Sequence, residues 1–411
     1  MKKNKFTIGL PKETKTPVDN RVIFSPDQAA EIMAKYPMIE IIVESSAVRC
    51  FPDRQYQDMG IQVVDNLTSV DCDIIIGIKE QELTHIIPNR HYVFFGHFAK
   101  EQEYNRSLAK HLLSNKNTFT DHEYLVDNSN KRLCAFGRYA GIVGAYNAIW
   151  GYGLKEKRYA LSSPNSLGVV EKLLEAVKLI NIEKLPNILF TGNGNVAKGC
   201  REFLTAIGYE ETTIEDYTAG KSCQAKPLFV NLLLKDLVQR MDGKPFSRID
   251  FSNHPEEYAS CLFPKLEGFP VLIPCHFWGE KDPVYLNQKD LIKLSGKLKL
   301  VADVTCDISG GFKCTIRSST HANPFYDYNP FSNKEEDAFS SSSNITIMAV
   351  DTLPNAIPIT SSVYFGSKYM ELIIPGLLEE NQESKEAINR ATIIRDGQLT
   401  SRFSYLSSFV E

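Results

Sequence analysis

Short apolar runs rich in β-branched residues alternate with polar, helix-compatible stretches through the first third of the chain. That pattern is expected of βαβ units around a parallel sheet. FTIGL (6–10), IEIIVE (39–44), IQVV (61–64), DIIIGI (73–78), HYVFFG (91–96) and NTFT (117–120) predict strands. Between the first two, SPDQAAEIMAKY predicts a helix with Ser25 as N-cap and Pro26 at the first helical position. FGRYAGIVGAYNAIWGYGLK (136–155) predicts a long apolar helix that crosses from one domain to the next. A second alternating series then begins: NILFTG (187–192), TTIED (212–216), PLFVNLLL (227–234), PVLIPC (270–275) and LKLVADV (298–304) predict a separate sheet. The serine-rich, acidic stretch from Ser332 to Ser343 predicts a loop, and ITIMAVDTLPNAIP with the helix-like SSVYFGSKYMELIIPGLLEEN closes the chain.

A chain of 411 residues with 43% hydrophobic and 23% charged residues has room for two cores. Its formal charge of -4, with basic residues scattered, points away from nucleic acid and anionic membranes and towards small-molecule partners. The nine cysteines (Cys50, Cys72, Cys134, Cys200, Cys223, Cys261, Cys275, Cys306 and Cys314) are odd in number and contain no CxxC pair. This argues against a disulfide framework and a zinc site and favours a reducing cytoplasm. MKKNKFTIGL starts basic, but its apolar stretch is too short for a signal peptide, and no window reaches the about 18 apolar residues of a membrane span. A soluble, unexported protein is the expectation.

ILFTGNGNVAKGC (188–200) breaks from a β-rich run into glycines and then into a helix-compatible segment. Read as G-x-G-x-x-A, Gly192 makes the tight turn and Gly194 lets backbone approach a pyrophosphate. Asn195 and Val196 open the helix, and Ala197 is the small residue that permits close packing. The helix N-terminus offers free N–H groups to phosphate. Nineteen residues after Ala197 the next predicted strand ends in Glu215-Asp216, acids suited to an adenosine ribose and so to NAD. Lys198 or Lys221 could instead meet a 2′-phosphate. The fold class implied is α/β, with two Rossmann-like domains built on parallel sheets.

Ligands of open α/β sheets collect outside the carboxyl ends of strands. FTIGL is followed by PKETKTPVDNR, DIIIGI by Lys79-Glu80, HYVFFG by His97 and then Lys100, and NTFT by Asp121-His122-Glu123. A partly desolvated Lys among cations has a lowered pKa and moves protons near neutrality, as His does unaided. Lys79 and His97 are therefore candidate acid-base groups, and Arg21 and Arg132 candidate carboxylate grips. His85, His91, His111, His254, His276 and His321 have no such context and read as ordinary histidines. No metal is expected, since neither His97 nor His122 has a matched ligand set.

IGLPKETKTPVDNRVIFSP, GIKE, FFGHFAK, TDHEYL, KRLCAFGRYAG, FTGNGNVAKG, VADVTCDISGG and MAVDTLPNAIP, in this order, resemble the alanine dehydrogenase / saccharopine dehydrogenase (lysine-forming) superfamily, which also holds the transhydrogenase α chain. The likeness covers nearly the whole chain. It is strongest to the lysine-ketoglutarate reductase half of bifunctional aminoadipic semialdehyde synthase, through HPEEYA, DISGGFKCTIRSSTHANPF and AVDTLPNAIPI as well. The resemblance implies reversible, NAD(P)-dependent condensation of lysine and 2-oxoglutarate to saccharopine, with NADPH as the coenzyme of that half. It implies Lys79 and His97 as the acid-base pair, Glu80 and Glu123 as tuning carboxylates, and Lys15, Arg21 and Arg132 as substrate-carboxylate or charge-balancing groups. It places an aspartate beside the nicotinamide, and Asp303 and Asp307 both match. It also implies a discontinuous substrate domain, 1–137 plus 340–411, with a nucleotide domain, 138–339, inserted and the active site in the cleft.

An alanine dehydrogenase-like enzyme acting on a small 2-oxo acid and ammonia is the alternative activity, and a non-catalytic nucleotide-binding relative is the alternative class. Saccharopine carries three carboxylates, which suits the set Lys15, Arg21 and Arg132. Oligomeric state is left open between monomer and homo-oligomer.

Overall fold

The apolar runs of the first third become strands β1 (Phe6–Leu10), β2 (Ile39–Glu44), β3 (Gln62–Val64), β4 (Ile74–Lys79), β5 (His91–Phe95) and β6 (Thr118–Asp121) in the computed structural model, which describes residues 5–222 and 226–411. Met1 to Asn4 and Cys223 lie outside the described residues. The remaining eight cysteines are free thiols. By its internal packing the chain divides into two units, Met1–Ala135 with Pro358–Glu411 and Phe136–Ile357.

The second unit holds β7 (Ile188–Thr191), β8 (Glu210–Thr212), β9 (Leu228–Leu232), a small hairpin β10 (Val238–Arg240) and β11 (Tyr258–Ser260), then β12 (Val271–Ile273), β13 (Leu300–Ala302), β14 (Phe325–Asn329), β15 (Lys334–Glu336) and β16 (Ile345–Met348). Its main sheet runs β15-β14-β16-β13-β12-β7-β9-β8, parallel from β16 to β8, with β14 and β15 as an antiparallel edge. Because β16 pairs in parallel with β13, the chain returns to the first unit between Ile357 and Pro358, later than the expected 340. The expected serine-rich loop contains β15. Around it, Asp327 accepts from Lys155 Nζ (2.9 Å), Thr346 Oγ1 (2.6 Å) and Ser340 N (3.0 Å), so a buried carboxylate organises that polar stretch.

The C-terminal segment adds β17 (Thr392–Arg395) and β18 (Gln398–Leu399) to the first sheet, giving β18-β17-β6-β5-β4-β1-β2-β3, with β1 to β6 parallel. Both units are thus α/β with a largely parallel eight-stranded sheet, as expected for Rossmann-like domains.

Helix Gly137–Lys155, expected to cross between domains, belongs to the second unit and is buried along nearly its whole length, as an apolar helix must be. It lies backbone to backbone on helix Asn195–Ala206: a Cβ on Gly141 would sit 1.9 Å from Val196 O, and one on Gly199 would sit 1.9 Å from Arg138 O. Ser25 caps helix Pro26–Lys35 as its sequence predicts, with a reciprocal Gln28 bond. Among the described residues no helix is long and apolar enough to cross a membrane.

Candidate active site

In the first sheet β6, β5, β4 and β1 are neighbours, so the ionisable residues that follow them gather at one carboxyl edge. Lys79 is the last residue of β4. The ladder to β5 runs from Ile74 with His91 to Ile76 with Val93 and then slips, so that Lys79 stands opposite Phe95. Glu13, from the segment after β1, accepts the backbone N–H groups of Ile78 (2.6 Å) and Lys79 (2.9 Å) at this irregularity. Its carboxyl group thereby replaces a missing ladder partner and fixes the root of the Lys79 side chain.

His97 follows β5 in the left-handed region (φ 57), a conformation that surrounding structure must hold in place. Asp121, the last residue of β6, supplies the hold: its carboxylate accepts from Gly96 N (3.1 Å) and Glu123 N (2.9 Å), tying the His97 turn to the Glu123 turn. The outcome is Lys79 Nζ 3.5 Å from His97 Nε2, with His97 Nδ1 3.9 Å from a Glu123 oxygen. Glu123 also receives Lys100 Nζ at 2.7 Å and the Arg132 guanidinium, while Lys15 pairs with Glu80.

Electrostatics sharpen the picture. Burial lowers the pKa of Lys79, and the neighbouring Arg21 and Lys15 charges lower it further. Burial and the Lys79 charge bring His97 down to about 4, so the imidazole is neutral near pH 7. Burial works to raise Glu123, but the Lys100 hydrogen bond and the Arg132 and Lys100 charges outweigh it and keep it ionised. A neutral imidazole touching a destabilised ammonium, bounded by carboxylates, is an arrangement for passing protons.

Arg21, expected to grip a substrate carboxylate, is held by a carboxylate of the protein. Only 4% exposed, it is clamped by Asp19 through Nε to Oδ1 (2.9 Å) and Nη2 to Oδ2 (2.5 Å), and its influence reaches Lys79 through space. Lys15, Lys100 and Arg132, on partly exposed side chains, are able to reach outward. Glu13 and Asp121 are supporting residues to which the sequence assigns no role. The second was visible as an acid ending the TFTD run, but its inward direction was not.

In the second unit the glycine segment has the expected form. Gly192 adopts φ 96 after β7, and a Cβ on Gly194 would meet nothing within 4 Å, which leaves an open cradle. Helix Asn195–Ala206 makes its first bond from Lys198 N to Gly194 O (3.0 Å), so the amides of Asn195, Val196 and Ala197 precede the ladder. A cavity of about 380 Å³ lies over the turn, lined by Gly192, Gly194, Arg248, Cys275, His276 and Phe277. An adjoining groove of about 480 Å³ is lined by Thr212, Thr213, Glu215, Asp216, Asn231 and Lys235. Open glycine, free amides and two cavities fit a dinucleotide.

Glu215 and Asp216 do not end a strand. β8 stops at Thr212, and the acids occupy the first turn of helix Ile214–Thr218, where Thr213 Oγ1 accepts from Asp216 N (3.1 Å). Acids in a first turn serve the helix dipole. β8 is, moreover, the sheet edge, with β9 between it and β7, so the strand-end geometry that pointed to NAD is absent. Asp303 is fully buried and spent on the protein itself: Oδ1 accepts from Thr305 N (3.1 Å) and Thr305 Oγ1 (2.6 Å), and Oδ2 from Thr315 Oγ1 (2.6 Å). Asp307 is only partly buried, with its pKa raised by that burial.

Comparison with known proteins gives this geometry its context. Residues 9–143 match the alanine dehydrogenase/PNT, N-terminal domain family. Across nearly its whole length the chain is homologous to alpha-aminoadipic semialdehyde synthase of Arabidopsis thaliana, 29% identical over 97% of this chain and 41% of that protein. The mitochondrial alpha-aminoadipic semialdehyde synthase of Rattus norvegicus is 24% identical over 90% of this chain and 44% of that protein. The chain therefore spans less than half the length of these relatives. Saccharopine dehydrogenase [NAD(+), L-lysine-forming] of Candida glabrata is 26% identical over 87% of this chain and 88% of its own. Among solved structures, an L-alanine dehydrogenase superposes with a TM-score of 0.65 at 14% identity, covering 98% of this chain and 100% of the other. A transhydrogenase from Sinorhizobium meliloti reaches 0.62 at 11% identity, over 96% of this chain and 100% of the other. These two establish the shared fold, and the homologues support an oxidoreductase.

Proposed function

We propose that the chain is an NAD(P)-dependent saccharopine dehydrogenase of the lysine-forming, lysine-ketoglutarate reductase type, joining L-lysine and 2-oxoglutarate reversibly. The observation that carries this reading is the 3.5 Å contact of Lys79 with His97 inside a ring of paired cations and carboxylates. His97, neutral, takes the proton of the substrate ε-ammonium. The freed amine attacks the keto carbon of 2-oxoglutarate and one of its protons passes to the former keto oxygen, giving a carbinolamine; Lys79, its ammonium destabilised by burial, gives a second proton to that hydroxyl so that water leaves and a protonated imine remains. A nicotinamide dinucleotide, when bound, supplies the hydride that reduces this imine. Gly192, Gly194 and the amides of Asn195 to Ala197 are the groups that would hold its pyrophosphate.

Lys15 and Arg132 exchange their Glu80 and Glu123 partners for substrate carboxylates, while Glu80 and Glu123 tune the acid-base pair. Arg21, clamped by Asp19, acts on Lys79 by charge. Asp307 is assigned the place beside the nicotinamide, since every oxygen of Asp303 is already committed. Purified protein should oxidise NADH or NADPH only when lysine and 2-oxoglutarate are both present. Turnover with pyruvate and ammonium would move the assignment to an alanine dehydrogenase-like enzyme, and nucleotide binding without turnover to a non-catalytic relative.

A further inference from the structure

His276, which the sequence marks as an ordinary histidine, follows β12 at the point where the strand order reverses direction about β7, the usual ligand crevice of such sheets. A Cβ on Gly192 would lie 3.1 Å from His276 Cα and N, so this segment rests directly on the glycine turn. The ring is 4.6 Å from Tyr285 at 88° and 6.0 Å from Phe312 at 66°, edge contacts that fix its orientation. Thr191, fully buried at the end of β7, binds this segment: its Oγ1 accepts the N–H of Cys275 (3.0 Å) and lies 2.6 Å from His276 Nδ1.

A buried hydroxyl that already accepts one bond satisfies its own proton by giving it to Nδ1. The ring proton of a neutral imidazole then belongs on Nε2, an assignment made from the hydrogen-bond network. Burial brings the His276 pKa down to about 4, which keeps the ring neutral near pH 7. His276 is only 9% exposed, its Nε2 is buried without a protein partner among the described residues, and the residue lines the 380 Å³ cavity over the turn. A buried donor left unmade is costly unless something arrives to accept it.

We propose that His276 is a dinucleotide-binding residue whose Nε2–H donates a hydrogen bond to an oxygen of the bound coenzyme beside the Gly192 turn, with Thr191 as the residue that fixes its tautomer. The inference rests on the nucleotide half of the proposed function and is independent of the substrates. Calorimetric titration of the full chain with NADH and with NADPH tests it, comparing wild type with His276→Phe, which keeps the aromatic packing and removes the donor. The variant should bind about 3- to 10-fold more weakly, the range of one lost hydrogen bond. Nitrogen-15 spectra of the histidine-labelled wild type supply a readout that needs no variant to fold, and should show Nε2 protonated and Nδ1 bare. Unchanged affinity in His276→Phe, or a proton on Nδ1, overturns the inference while leaving nucleotide binding intact. Failure of the wild type itself to bind either coenzyme overturns both.

Discussion

Replacing Asp121 by Asn keeps the shape of the side chain and removes its charge. Asp121 is 0% exposed, and each of its oxygens accepts a backbone N–H, from Gly96 (3.1 Å) and Glu123 (2.9 Å). Burial, aided by the Glu123 charge and opposed by those N–H groups, pushes its pKa from 3.8 up to about 7. The folded protein therefore keeps a proton that the unfolded chain has released. The stability this confers is complete below about pH 4 and lost as pH rises through about 7. The difference from 3.8 to about 7, at about 1.36 kcal/mol per unit, amounts to about 4 kcal/mol. The Asn variant has no such dependence, but it turns an amide N–H₂ towards a backbone N–H at a pH-independent cost of about 1–3 kcal/mol. D121N should be less stable than wild type near pH 4 and as stable or more so near pH 8. The difference in unfolding free energy should swing by about 4 kcal/mol. Glu13, raised to about 8 by burial and the Asp19 charge, titrates in both proteins and cancels. Urea unfolding followed by far-UV circular dichroism at about pH 4, 6 and 8 measures the swing, and a difference that does not change with pH rules out a raised pKa at Asp121.

Lys79→Met and His97→Gln should each lower kcat by about 10²- to 10⁴-fold while leaving coenzyme affinity within about twofold, as steady-state kinetics and titration would show. Loss of coenzyme binding with the chemical rate preserved would contradict their roles. Gly194→Ala should fold with an unchanged melting temperature, since its Cβ meets nothing within 4 Å, yet bind NADH and NADPH more weakly. Gly141→Ala should instead destabilise the protein by about 3 kcal/mol, because its Cβ would fall 1.9 Å from a backbone oxygen that cannot yield. Lys155→Met strands the Asp327 carboxylate, with the two side chains 2% and 0% exposed, and thermal unfolding should register a loss of about 3–5 kcal/mol.

Strands and the charges gathered at their carboxyl ends were legible because apolar periodicity and strand-ending charges are local signals. Lys79, His97 and Glu123 come together for that reason, on adjacent parallel strands. Pairing order is not local: nothing in TTIED or PLFVNLLL says that β9 inserts between β7 and β8, and Glu215 and Asp216 went to a helix turn. Thr213, three residues before Asp216, was the missed cap signal. The residues that steady the site escaped because their value lies in long-range hydrogen bonds. Glu13 reaches Ile78, Asp121 reaches Gly96, and Thr191 reaches His276. Asp303 and Asp307 were indistinguishable as letters and are separated by burial and by the four hydrogen bonds that Asp303 accepts.

An enzyme that joins two molecules through carbon and nitrogen before reducing them leaves a product that carries both. Wild-type protein incubated with lysine labelled at the ε-nitrogen, 2-oxoglutarate and NADPH or NADH should yield, by mass spectrometry, saccharopine that retains the label. One equivalent of coenzyme should be consumed per product, and the product should vanish in Lys79→Met. Coenzyme consumption that yields an amino acid with nitrogen drawn from ammonium, and no joined product, would instead make the protein a reductive aminase of a free oxo acid and overturn the proposed function.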